Sequence, residues 1–167
     1  MGDMWVWGAD VAKARLGLGF VELHTGAFQT NAVSWRGKSL PLADDLRLAD
    51  EDTYRFARLM AETFPPATVA VEIPMGMQPE PTLLATFGVV VRALHRALEL
   101  APWEINVSTW KRCYREEGTD LSKKPNLLPW IQGLGYQIDD VDQAAAAAIG
   151  GAARKLFYGK PTTDLHP

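Results

Sequence analysis

An α/β layer architecture built on one mixed sheet is the fold class this sequence predicts, and three observations predict it. Aromatic and β-branched runs separated by turn chemistry fill the first 35 residues, the pattern of an antiparallel meander. Two later strand-like runs alternate with amphipathic helical stretches, as in layered α/β folds. The chain has 167 residues, 47% hydrophobic and 22% charged, which is globular composition. A domain of this length buries roughly two-thirds of its unfolded surface, so it needs neither disulfides nor a structural metal. One domain over residues 1–158 and a flexible C-terminal tail over 159–167 are expected.

The elements follow in order. Trp5 to Ala9 is a short aromatic and β-branched run ending at Asp10. Leu16 to Leu23 alternates as a second strand, His24-Thr25-Gly26 turns the chain, and Phe28 to Trp35 completes the meander. Phe56, Leu59, Met60 and Phe64 fall at helical spacing, so a helix is expected over 51–64, stopped by Pro65-Pro66. Thr68 to Ile73 is a buried-type strand carrying Glu72 near its end. A helix over 82–100 places Leu83, Phe87, Val90, Val91, Leu94 and Leu98 on one face, with Arg92, His95, Arg96 and Glu99 opposite. Trp103 to Val107 is the fifth strand. The polar stretch 108–122 reads as irregular, a helix is expected near 123–134, and the last helix runs from about Asp139 to Phe157. The sheet is then five-stranded and mixed, its first three strands antiparallel, with helices flanking it.

Charge and cysteine content set the broad class. Seventeen Lys and Arg against 20 Asp and Glu give a formal charge of −3, which at face value disfavours a surface covered in positive charge. The single cysteine, Cys113, forms no internal disulfide, so a reducing, cytoplasmic setting is expected, and the thiol is read as inert rather than nucleophilic. No apolar run approaches the ~20 residues of a membrane span. No secretory signal is expected from Met1-Gly2-Asp3-Met4-Trp5, and Val6 stands where a myristoylation signal has Ser or Thr.

The carboxylates carry the chemistry. Asp10 and Glu72 each stand near the end of an apolar strand, where an ionised carboxylate is costly without a partner cation. Their bland roles are a turn residue and a strand-end salt bridge. Asp139 and Asp142, three apart at the start of an alanine-rich helix, share one side of its first turn; helix capping accounts for them equally well. Taken together, adjacent strand ends and a helix start bring all four acids to one edge of the sheet. Clustered carboxylates without Cys or His suit a hard cation such as Mg²⁺ or Mn²⁺. Two such ions form the usual clamp for in-line attack on a phosphodiester.

The order of elements and the stretches Trp7-Gly8-Ala9-Asp10, Val69-Ala70-Val71-Glu72 and Asp139-Asp140-Val141-Asp142-Gln143-Ala144-Ala145 resemble the ribonuclease H-like nucleases and, within them, the RuvC-type Holliday junction resolvases. The resemblance covers essentially the whole chain. It implies a bacterial or phage-encoded homodimer that cuts two strands of a four-way DNA junction symmetrically with Mg²⁺ or Mn²⁺, two ions per site, held by Asp10, Glu72, Asp139 and Asp142. In these resolvases lysines between the last strand and last helix contact the scissile backbone; Lys111, Arg112, Arg115, Lys123 and Lys124 lie in that interval. A phosphate-contacting rim and a solvated charged loop both fit them. The helix over 82–100 corresponds to one that helps form the dimer.

Two features depart from the resemblance. Where the resolvases carry an aromatic wedge after the strand-end Glu, this chain has Ile73-Pro74-Met75-Gly76-Met77; Met75 or Met77 would serve as an apolar wedge or simply pack inside. Gln143 replaces a small residue after the final Asp. Two rivals stay open: another ribonuclease H-like nuclease acting on forks, flaps or RNA–DNA hybrids, and a non-catalytic nucleic-acid or phosphate-binding module. Against the latter, Val11-Ala12-Lys13-Ala14-Arg15 offers no glycine or hydroxyl for a phosphate loop, and no Gly-rich Lys-Ser/Thr loop occurs.

Overall fold

The computed structural model describes residues 2–35, 40–74 and 80–167. Its strands are β1 (Trp5–Ala12), β2 (Arg15–Glu22), β3 (Phe28–Ser34), β4 (Pro66–Glu72) and β5 (Trp103–Ile105). Its helices are α1 (Leu42–Thr63), α2 (Pro81–Leu98), α3 (Val107–Arg115), α4 (Leu127–Gly133) and α5 (Val141–Tyr158), with a 3-10 turn over Lys124–Asn126. The strands form one sheet in the order β3-β2-β1-β4-β5. β1 pairs antiparallel with β2 and β2 with β3, whereas β4 runs parallel to β1 and β5 parallel to β4. This is the mixed, five-stranded sheet expected from the sequence.

The period-two alternation of the strands sorts side chains to two cores. Trp7, Ala9, Phe20, Val69 and Val71 face α1 and α2, where Phe20 stacks on Phe64 and the Trp7 indole donates to the Phe64 carbonyl at 2.9 Å. Val6, Val21 and Ala70 face α5, α3 and α4. On that second face α5 lies unusually close to the sheet. A Cβ on Gly8 would stand 2.1 Å from the Ala146 carbonyl oxygen, one on Gly17 2.7 Å from that of Asp142, and one on Gly19 2.5 Å from the Ala147 Cα. Alanine on the helix and glycine on the strands are therefore two halves of one packing solution, and residues 144–154 of α5 are buried throughout.

Three elements differ from the sequence expectation. α1 begins at Leu42, nine residues before 51, because its buried stripe is Asp45, Ala49, Thr53 and Ala57, small or polar residues that hide the periodicity. The stretch read as irregular contains α3, whose buried Trp110, Cys113 and Tyr114 sit at i, i+3 and i+4 among charged neighbours. Residues 159–167, expected as a flexible tail, are docked. Arg154, fully buried, donates to the carbonyls of Leu23 (2.8 Å) and Pro161 (3.0 Å) and pairs with Asp164 at 2.6 Å. The Phe28 amide donates to the His166 carbonyl at 2.8 Å, and Leu165 is buried. Among the described residues no helix is long and apolar enough to cross a membrane.

Candidate active site

The parallel register of β1 and β4 builds the centre of the site. Its last paired positions are Ala9 and Val71, so Asp10 and Glu72 follow one step later on neighbouring strands. Both continue the alternation of Val6, Gly8 and Ala70 and so face α5. Asp10 does not close its strand, as the sequence suggested; β1 runs on to Ala12 before turning into β2. Glu72 is the last residue of β4.

These two acids line a cavity of about 110 Å³ together with Val107, Trp110, Lys111, Lys124, Leu127 and Ala145. The Trp110 indole N–H donates to Glu72 Oε2. Trp110 is the site residue the sequence reading missed, and the i, i+3, i+4 spacing of Trp110, Cys113 and Tyr114 was the signal for its helix. The Lys111 ammonium donates to the Ser122 carbonyl at 2.9 Å. Lys124 Nζ stands 3.8 Å from Asp142 Oδ1, so the second residue of α5 is tied to the same cavity wall.

Electrostatics mark the pair as strained. Burial, then the charges of Glu72 and Asp142, push the Asp10 carboxyl up to about 7 from its ordinary 3.8, against the opposing pull of Lys124. Burial likewise raises Glu72, opposed by its bond from Trp110 and by Lys111 and Lys124. Lys111 and Lys124 offset the two buried acids only in part, and a divalent cation would add the positive charge they still call for.

The donors suit a hard cation, since all are carboxylates and the cavity offers no thiolate or imidazole. Among the described residues, however, no group of three or more His, Cys, Asp or Glu stands ready to hold an ion. Asp142 is instead engaged by Lys124 and, at 4.0 Å, by Arg15. Asp139 lies apart: it lines a separate depression with Gln132, Gln137 and Ile138. The cap of α5 falls to neither predicted acid but to Asp140, whose Oδ1 accepts from the amides of Asp142 (3.0 Å) and Gln143 (3.3 Å).

The predicted cations divide similarly. Lys111 and Lys124 line the carboxylate cavity; Lys111 also joins Arg112 and Arg115 around an adjoining cavity of about 210 Å³ with Ser108, Asp120, Leu121 and Ser122. Lys123 is exposed and lines neither of these cavities. Met75 and Met77 lie outside the described residues. Cys113 is buried, its Sγ 3.5 Å from the Thr109 carbonyl, and burial raises the thiol further, as an inert role requires.

Comparison with known proteins bears on the fold. No protein-family model and no curated protein matches the sequence. Solved structures do match the fold. RuvC of Thermus thermophilus in complex with a Holliday junction substrate superposes with a TM-score of 0.70 at 20% identity, over 93% of this chain and 96% of that one. A second T. thermophilus RuvC structure gives 0.67 at 22% identity, over 93% and 97%. The yeast mitochondrial Holliday junction resolvase Ydc2 gives 0.56 at 11% identity, over 92% and 79%. The chain thus shares the fold of these resolvase structures.

Proposed function

We propose that this chain is a metal-dependent endonuclease of the RuvC type, resolving four-way DNA junctions as a homodimer. The observation that carries the reading is the gathering of Asp10, Glu72, Lys111 and Lys124 in one cavity, with Asp142 paired to that Lys124, on a fold shared along nearly its whole length with RuvC. Asp10, Glu72 and Asp142 would hold Mg²⁺ or Mn²⁺. When bound, such ions activate water and stabilise the leaving oxygen of a phosphodiester. Lys111 and Lys124 neutralise the phosphate from the rim, Arg112 and Arg115 continue the positive track beside it, and Lys123 adds to the surrounding positive field. Trp110 fixes the Glu72 carboxylate in one orientation. Asp139, the fourth acid of the resemblance, joins this set only if the segment before α5 rearranges, so its removal is the mildest of the four.

The test is incubation of a labelled four-way junction, a fork, a linear duplex and an RNA–DNA hybrid with Mg²⁺, Mn²⁺ or EDTA. Paired symmetric nicks in the junction are expected with either metal and none in EDTA. Asp10→Asn and Asp142→Asn should each lose on the order of a hundredfold or more, the scale of losing one preorganised charged group. Asp139→Asn should lose much less. Cutting that persists in EDTA or in Asp10→Asn would overturn the metal mechanism. Faster cutting of the fork or hybrid would reassign the substrate.

A further inference from the structure

We infer that Arg15 is a positioning residue for the metal site, holding the start of α5, and with it Asp142, against the sheet; this rests on the nuclease reading of the same acids. Arg15 opens β2 and pairs through Nη2 with Asp140 Oδ2, while its Nη1 stands 4.0 Å from Asp142 Oδ2. Asp140 is doubly committed. Its Oδ1 caps α5, and its Oδ2 also takes the Gln143 side-chain amide at 2.9 Å. One guanidinium therefore fixes the cap, the cap fixes the first turn, and the first turn carries Asp142. Beneath it Gly17, two residues along β2, lets the Asp142 backbone come down onto the strand.

The cost of the arrangement points the same way. Arg15 Nε is buried with no hydrogen-bond partner, so the guanidinium is held toward Asp140 and Asp142 at a cost in hydrogen bonding. Asp142 sits between two cations of different reach: Arg15, its side chain 34% exposed, and Lys124, 68% exposed. A mobile lysine can leave when a divalent ion or a phosphate arrives. A guanidinium fixed through Asp140 stays and keeps the Asp142 carboxylate in place at the start of α5.

The experiment compares wild type with Arg15→Gln, Arg15→Lys and Asp140→Asn. Asn still caps a helix but removes the charge that Arg15 grips. Mn²⁺ affinity is read by the loss of the free-ion spin-resonance signal, without DNA; melting temperature and junction binding in EDTA are read alongside. Arg15→Gln and Asp140→Asn should weaken Mn²⁺ binding roughly ten- to a hundredfold, the usual effect of removing an outer partner of a metal ligand. Arg15→Lys should recover part of that loss. Junction binding in EDTA should change less than about twofold, and raising Mn²⁺ should restore cutting. Unchanged Mn²⁺ affinity in folded Arg15→Gln overturns the inference, and should that variant fail to fold, unchanged affinity in Asp140→Asn does so. Wild type that binds Mn²⁺, loses it in Arg15→Gln and cuts no DNA refutes the nuclease reading but leaves Arg15 its role. Wild type that binds no Mn²⁺ overturns both.

Discussion

Asp10 is the residue at which fold and chemistry pull against each other. Its carboxyl is held at about 7 instead of 3.8, mainly by burial, so the folded chain binds that proton more tightly than the unfolded chain does. Stability is therefore fullest below 3.8, falls as pH rises between 3.8 and about 7, and stays reduced above it. With one pKa unit equal to about 1.4 kcal/mol, the penalty reaches at most about 4 kcal/mol. Asp10→Asn should accordingly melt higher than wild type at pH 8 in EDTA, by a margin that vanishes toward pH 4. Mn²⁺ should raise the wild-type melt and leave the variant unmoved. Equal melts at pH 8 would show that the carboxylate is not strained. The same proton competes with the cation, so Mn²⁺ affinity should climb with pH through about 7.

At the scale of elements, the site depends on how near α5 comes to the sheet. Gly17→Ala would put a methyl 2.7 Å from the Asp142 carbonyl oxygen, a backbone atom that cannot swing aside. Overpacking of this kind costs about 1–3 kcal/mol, and here it also lifts the turn bearing Asp142. The expected outcome is a lower melting temperature together with weakened Mn²⁺ binding. Gly88→Ala on α2, where a Cβ meets nothing within 4 Å, is the control and should stabilise by up to about 1 kcal/mol through helix propensity. If Gly17→Ala retains wild-type Mn²⁺ affinity, close packing does not position Asp142. α3 belongs to this scale as well. Its one signal, the helical spacing of Trp110, Cys113 and Tyr114, is short and set among charged residues, yet the helix delivers both Trp110 and Lys111 to the cavity.

For the whole molecule, symmetric cutting requires two sites, and the reading of α2 as a dimer helix makes a definite prediction. α2 packs Val90, Ala93, Leu94 and Ala97 inward and leaves Leu84 exposed at 44%. Light scattering at micromolar concentration should give twice the 18.4 kDa of one chain, and Leu84→Glu should return it to the single-chain mass. A wild-type mass of one chain would remove the homodimer. Under the proposed function the net charge of −3 is no obstacle to DNA, because cations bound at the cavity acids would neutralise them.

Local pattern alone determined the three-strand meander, the apolar strand bearing Glu72, the amphipathic α2 and the alanine-rich last helix, because alternation and helical spacing are properties of neighbours in the chain. Asp10 and Glu72 stand out in the sequence for a related reason, since a carboxylate in an apolar strand is anomalous, and Asp142 by its spacing from Asp139 at the start of an alanine-rich helix. Only the tertiary structure decided which acids meet. The parallel register of β1 and β4 set Asp10 beside Glu72, and glycines at 8, 17 and 19 lowered α5 until Asp142 approached them. Asp140 took the cap and left Asp139 in a separate depression. Arg15 reaches Asp140 across 125 residues of chain, and Arg154 holds the tail that composition alone made look loose. Such pairings depend on distances between elements, and those are set by packing.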